Sequence, residues 1–122
     1  MPCPRLRGAR AFLDLWGTDV RPTATVAFSD IIALGVLDAA RDASVSVPAE
    51  VSVSGFDDLA EAAWAMPSLT TVRQPIESKG RLAAALLVGS ISADDNSRIH
   101  QQRLHTEILV RDSTGSVPRA HE

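Results

Sequence analysis

The strongest constraint on the fold is the regular alternation of helical and extended patterns along the 122 residues of the chain. Apolar residues spaced three or four apart predict helices, whereas short apolar or β-branched runs predict strands. In chain order the predicted segments are a helix at 5–16, a strand at 23–28, a helix at 31–43, a strand at 51–54, a helix at 59–65, a strand at 69–72, a helix from Pro75 and a strand at 104–110. This alternation predicts a three-layer α/β fold, in which a mostly parallel sheet is flanked by helices. The first strand is apolar enough to be buried on both faces.

The composition favours a packed domain that has no nucleic-acid surface of its own. Hydrophobic residues make up 45% of the chain, which suffices for a core at this length. The net charge of −3 lacks the basic excess that is typical of DNA-binding domains. Cys3 is the only cysteine, so no internal disulfide can form and a reducing cytoplasm is favoured. No apolar run reaches the roughly 18–20 residues of a membrane span.

Two pairs of polar residues come directly after predicted strands. Ser29 and Asp30 follow the first strand, and Asp57 and Asp58 follow the second. Ligands of open parallel sheets bind beyond the carboxyl ends of the strands, so both pairs predict a ligand-binding edge, and Arg5 at the start of the first helix could reach the same rim. Helix capping, turn formation and plain solvation also explain these residues. The pattern alone leaves both interpretations open.

Paired aspartates also suit the Mg²⁺ site of a phosphoacceptor domain. Such domains carry a lysine near the last strand, but the only lysine here, Lys79, lies inside a predicted helix. None of the three histidines, at positions 100, 105 and 121, has Cys or Asp partners at the spacing of metal ligands. No catalytic triad is visible either. We therefore predict a protein that is not an enzyme, has no catalytic residues and needs neither a metal nor a cofactor.

A set of sequence strings, taken in order, resembles the LacI/GalR family of transcriptional regulators. The strings are RLRG at 5–8, TVAFSDIIALGVL at 25–37, VPAEVSVSGFDD at 47–58, PSLTTVRQP at 67–75, GRLA at 80–83 and TEILVRDST at 106–114. They cover nearly the whole chain in the family's order. Two positions depart from the family pattern: Ala9 stands where the family prefers an aromatic residue, and Ser29 where it often has Asn.

The resemblance implies the periplasmic-binding-protein-like fold, in which a ligand lies in a cleft between two α/β subdomains. Residues 1–112 would be the C-terminal subdomain and residues 113–122 a disordered tail, whereas the DNA-binding head and the N-terminal subdomain would be absent. The implied function is to sense a small sugar or nucleoside-like effector in the cytoplasm, with DNA bound only through the missing head. A sugar-binding component of a transporter, which shares the fold, is the alternative.

The resemblance also assigns roles to single residues. Arg5, Ser29 and Asp57 match the family's ligand-contacting positions, while Asp30 would cap the following helix and Asp58 would stand behind the contacting residues.

A homodimer contact is implied as well, on the helix after Asp30 and on the segment around 61–67. The implied contact residues are Leu34, Leu37, Trp64 and Met66. Alternatively, Trp64 and Met66 complete this domain's own core.

Overall fold

A computed structural model describes residues 3–92 and 101–118 of the chain. Its elements are α1 (Pro4–Trp16), β1 (Ala24–Val26), α2 (Asp30–Asp42), β2 (Ser52–Ser54), α3 (Ala60–Trp64), β3 (Thr71–Arg73), α4 (Ile76–Ser92) and β4 (Glu107–Leu109). The predicted order of alternating helices and strands is confirmed. The strands are shorter than predicted, with three residues each. Among the described residues, no helix has the length and apolar character needed to cross a membrane.

The pairing of the first two strands is parallel, as the alternation predicts. β1 and β2 pair in the register Ala24 to Ser52, Thr25 to Val53 and Val26 to Ser54. A parallel bridge joins Ser54 to Thr70, just before β3. β3 and β4 are neighbours in a second two-stranded sheet. The carboxyl ends of β1 and β2 therefore lie side by side at one edge.

The chain divides into two compact units. The larger unit comprises residues 1–73 and 108–122, and the smaller unit comprises residues 74–107. In the smaller unit, none of the residues of α4 is buried.

The core of the larger unit is aliphatic around one aromatic ring. Its fully buried side chains include Phe12, Val51, Val53 and Leu69. The α1 and α2 helices approach each other closely at two glycines, because a Cβ on Gly8 or Gly35 would overlap a backbone carbonyl oxygen of the facing helix.

The first strand is predicted to be buried on both faces, and this prediction is wrong because one face of the strand segment is exposed. Val26 and Phe28 are exposed, whereas Ala27 between them is buried. Successive side chains of an extended segment point to opposite faces, so only one face of this segment packs into the core.

The chain after β4 returns to the core, unlike the disordered tail that was predicted for residues 113–122. Ser113 is fully buried. Its hydroxyl donates to the carbonyl of Val53 over 2.6 Å and accepts the N–H of Thr70 over 2.8 Å. We call residues 111–114 the C-terminal strap. The strap bridges β2 and the segment before β3, so the ordered part extends beyond residue 112, while residues 119–122 lie outside the described chain.

Candidate functional site

The ends of the first two strands are tied together at the predicted ligand-binding edge. The N–H of Asp30, at the start of α2, donates to the carbonyl of Phe56 over 2.8 Å. Ser29 and Asp57 flank this bond in sequence, and both are half-buried. A hydroxyl and a carboxylate thus stand on adjacent loops beyond the carboxyl ends of parallel strands, where open α/β sheets bind their ligands.

Asp30 does not cap α2, which corrects its predicted role. Ser29 is the N-cap residue and makes no side-chain capping bond. The carboxylate of Asp30 is fully buried and instead accepts the hydroxyl of Thr71 over 2.6 Å and the N–H of Leu59 over 2.8 Å. Asp30 therefore joins the loop after β2 to β3, because a buried carboxylate must find hydrogen-bond donors within the fold.

Two consecutive residues of the loop after β2 have an unusual backbone conformation. The φ angle is 116° at Asp57 and 55° at Asp58, and non-glycine residues rarely adopt positive φ. The N–H of Asp57 donates to the carbonyl of Val72 over 2.9 Å, and the N–H of Asp58 donates to the hydroxyl of Thr71 over 3.3 Å. Bonds to β3 thus hold a strained loop in place, a feature that is concentrated at functional sites.

The side chain of Asp58 is paired with two arginines. Oδ1 accepts Nη2 of Arg111 over 2.7 Å, and Oδ2 accepts Nε of Arg73 over 2.7 Å. Burial by itself would raise the pKa of Asp58, but the hydrogen bonds and charges of Arg111 and Arg73 outweigh it and hold this pKa below its usual range. Asp58 is therefore ionised and is occupied by protein partners.

The guanidinium of Arg5 contacts acidic side chains of the larger unit. Its Nε donates to Oδ2 of Asp38 over 2.7 Å, and its Nη1 donates to Glu61 over 3.4 Å. The hydrogen bond from Arg5 lowers the pKa of Asp38, although burial opposes this effect. Two carboxylates from α2 and α3 thus engage the guanidinium.

These charged residues rim an open groove of about 440 Å³, which we call the α2–α3 groove. Its remaining lining residues are Leu34, Leu37, Arg41, Ala60, Trp64, Ala65 and Met66. The four residues implied for the dimer contact all line this groove, but they differ in burial. Leu34 and Leu37 are buried in the domain's own core, whereas Trp64 and Met66 are 84% and 82% exposed. Trp64 and Met66 therefore do not complete the core, and that alternative is wrong.

Several residues of this region were not singled out from the sequence. Arg73, Arg111 and Thr71 all contact the loop after β2. Their partners lie 13 to 53 positions away in the chain, and such separations leave no periodic signal. The one signal in the sequence that could have suggested these contacts is charge, because two arginines can pair with the adjacent aspartates of the loop.

A metal site has no support in the part of the chain that the structure describes. Across residues 3–92 and 101–118, no group of three or more His, Cys, Asp or Glu side chains could hold an ion. Two of the histidines considered from the sequence, His100 and His121, lie outside the described residues.

The chain matches a known protein family over most of its length. The model of the periplasmic binding protein-like domain family matches residues 4–114. The chain is 40% identical over 91 residues to the HTH-type transcriptional regulator MalR of Clostridium butyricum. The aligned region covers 75% of this chain and 27% of that protein. The chain thus spans under a third of this relative's length.

Solved structures of LacI-family regulators have the same fold. The regulator from Lactobacillus casei with bound glucose superposes with a TM-score of 0.73 at 32% identity, over 90% of this chain and 39% of that one. The regulator from Enterococcus faecium with bound ribose superposes with a TM-score of 0.76 at 27% identity, over 90% of this chain and 40% of that one.

Proposed function

Because the chain belongs to the periplasmic binding protein-like family and has LacI-family transcriptional regulators as relatives, we propose that it forms one wall of a sugar-binding effector cleft. The chain would be the C-terminal subdomain of the effector-binding part of a cytoplasmic regulator. A helix-turn-helix head outside this chain would bind DNA. The sugar would lie between this wall and a second subdomain.

One observation carries this proposal: Ser29 and Asp57 stand at adjacent strand ends, on loops joined by the bond from Asp30 to Phe56. A serine hydroxyl both donates and accepts, and an ionised carboxylate accepts only. Both groups are therefore suited to the hydroxyls of a sugar. Half-burial favours such contacts because partial removal from water strengthens a hydrogen bond to a charged acceptor.

Asp57 is the contacting carboxylate in this proposal, because the family resemblance places Asp57 at a ligand-contacting position and Asp58 behind it. Each oxygen of Asp58 accepts a bond from an arginine. The same pairing argues against a phosphoacceptor, because a Mg²⁺ ion would have to compete with two guanidinium groups for that carboxylate. Arg5 is assigned to the α2–α3 groove instead of the effector wall, since its guanidinium already engages Asp38 and Glu61.

The α2–α3 groove is proposed as the homodimer contact. Its exposed Trp64 and Met66 are of the types enriched at protein interfaces. Charges of both signs surround them, namely Arg5 and Arg41 with Asp38 and Glu61. A patch with both signs can be complementary to its own copy across a two-fold axis, as a closed dimer requires.

Calorimetric titration of the full-length regulator with glucose and with ribose tests the sugar-binding proposal. We expect at least one sugar to bind with a dissociation constant below about 1 mM. Binding must also change the affinity for operator DNA, because coupling between two ligands is reciprocal. Sugar binding without any effect on DNA would favour the transporter component. Stabilisation by Mg²⁺ and acetyl phosphate, with no response to either sugar, would contradict the proposal.

A further inference from the structure

The loop that carries Asp57 is held from the far end of the chain. Asp58 accepts one arginine on each carboxylate oxygen, at equal distances of 2.7 Å. The two arginines differ in burial, since the side chain of Arg111 is 19% exposed and that of Arg73 is 53% exposed. An exposed ion pair contributes little because water and salt screen it, so Arg111 is the stronger of the two partners.

Arg111 is itself held through both its backbone and its side chain. Its N–H donates to the hydroxyl of Thr70 over 2.9 Å, Nη1 donates to the carbonyl of Leu69 over 3.0 Å, and Nη2 donates to Asp58. Two residues further on, buried Ser113 fastens the same C-terminal strap to β2. The guanidinium therefore reaches Asp58 from a rigid support, in the planar forked geometry that distinguishes Arg from Lys.

We propose that Arg111 is a positioning residue for the effector wall: from the C-terminal strap it clamps Asp58 and so holds the adjoining Asp57 in its positive-φ conformation. This inference rests on the proposed sugar-binding role of Asp57. It gives the strap a function in the sensor beyond closing the fold, because the strap fixes one of the two polar groups of the wall.

The backbone conformation of the loop explains why a clamp is needed. A non-glycine residue with positive φ persists only where its surroundings impose that conformation, and here two such residues follow each other. The N–H bonds of Asp57 and Asp58 fix the backbone towards β3. The C-terminal strap contacts this loop at the carboxylate of Asp58, through Arg111. Without Arg111, the more exposed Arg73 is the one arginine of the described chain still bonded to that carboxylate.

A double-mutant cycle in the full-length regulator tests this role, with Arg111→Gln, Asp58→Asn and the double variant. Hydrogen exchange over residues 56–59 is measured without any sugar. We expect each single variant to speed exchange about tenfold, as loss of a bond to a charged group implies, while α1 is unaffected. The double variant should exchange no faster than Asp58→Asn alone, because Arg111 holds the loop only through that carboxylate.

Two further variants serve as controls. Arg73→Gln should speed exchange much less than Arg111→Gln, and Arg111→Lys should restore part of the protection because it keeps the charge but loses the fork. Unchanged exchange over residues 56–59 in Arg111→Gln, or fully additive effects in the double variant, would overturn the proposal even if a sugar binds.

Glucose and ribose affinities of the same variants supply the second readout. We expect Arg111→Gln to weaken the affinity of the sugar that wild type binds about tenfold, again without additivity in the double variant. If wild type binds neither sugar, the sugar-binding proposal fails, while the exchange data still decide whether Arg111 fixes the loop. Normal sugar affinity in an Arg111→Gln variant whose loop exchanges faster would refute the link to the effector wall.

Discussion

Replacement of Gly35 by alanine should destabilise the larger unit by forcing α1 and α2 apart. A Cβ at this position would overlap the carbonyl oxygen of Arg5 and would lie 2.8 Å from its carbonyl carbon and 3.1 Å from the nitrogen of Ala9. All three atoms are backbone atoms of α1, so no side-chain rotation can relieve the clash, and the helix itself must move.

The size of the effect follows from two opposing contributions. Overpacking in a well-packed core costs about 1–3 kcal/mol, and the upper end applies here because the obstacle is a helix backbone. Alanine in place of glycine inside a helix stabilises the folded state by up to about 1 kcal/mol. We therefore expect Gly35→Ala to lower the free energy of unfolding by about 2 kcal/mol.

Gly89→Ala is the matched control, since the same chemical change is made inside a helix. A Cβ on Gly89 meets no atom within 4 Å among the described residues, so this variant should gain up to about 1 kcal/mol from helix propensity alone. Urea unfolding followed by far-UV circular dichroism measures both variants. Equal effects of the two substitutions, or a Gly35→Ala variant as stable as wild type, would refute the close approach of α1 and α2.

Two further predictions concern the α2–α3 groove and the ionised Asp58. In the full-length protein, Trp64→Ser should weaken dimerisation by about 2 kcal/mol or more, as is typical of an interface hot spot, and sedimentation velocity measures this change. Val20→Ser, at another exposed apolar residue, should leave the sedimentation velocity unchanged. Equal behaviour of both variants would rule out the groove as the contact. The folded-state pKa of Asp58 lies below its usual range. The ionised side chain therefore stabilises the fold at pH values above the unfolded pKa of about 3.9, and this stabilisation is lost as the pH falls through the folded pKa. Urea unfolding should therefore show Asp58→Asn losing less stability than wild type on acidification from about pH 5 to about pH 3, and parallel losses would contradict the pairing with Arg73 and Arg111.

The order of the elements could be predicted from the sequence because it depends on local periodicity. In α2, apolar residues recur at helical spacing directly after Ser29 and Asp30, and the helix begins there. The parallel pairing of β1 with β2 then follows from the intervening helix. The convergence of the two polar loops could be predicted for the same reason.

The partners of individual side chains could not be predicted, because they depend on contacts distant in sequence. Asp30 looks like a helix cap from its neighbours, yet its carboxylate binds Leu59 and Thr71, 29 and 41 positions away. Arg5 was assigned to the effector from its place at the start of the first helix and from the family motif, and the structure pairs it with an aspartate 33 positions away. Burial was misjudged similarly for Phe28, whose exposure depends on what packs against the sheet.

Sugar binding by the Asp57→Asn variant of the full-length regulator tests most directly whether this chain supplies a wall of the effector cleft. Asparagine keeps the shape of the side chain and tolerates positive φ better than most residues, so the loop should stay intact while the charge is lost. We predict that affinity for the sugar bound by wild type falls about tenfold or more, as expected for a hydrogen bond to a charged group, and that Asp19→Asn in an exposed loop has no effect. Wild-type affinity in a folded Asp57→Asn variant would contradict the assignment of this edge to the effector.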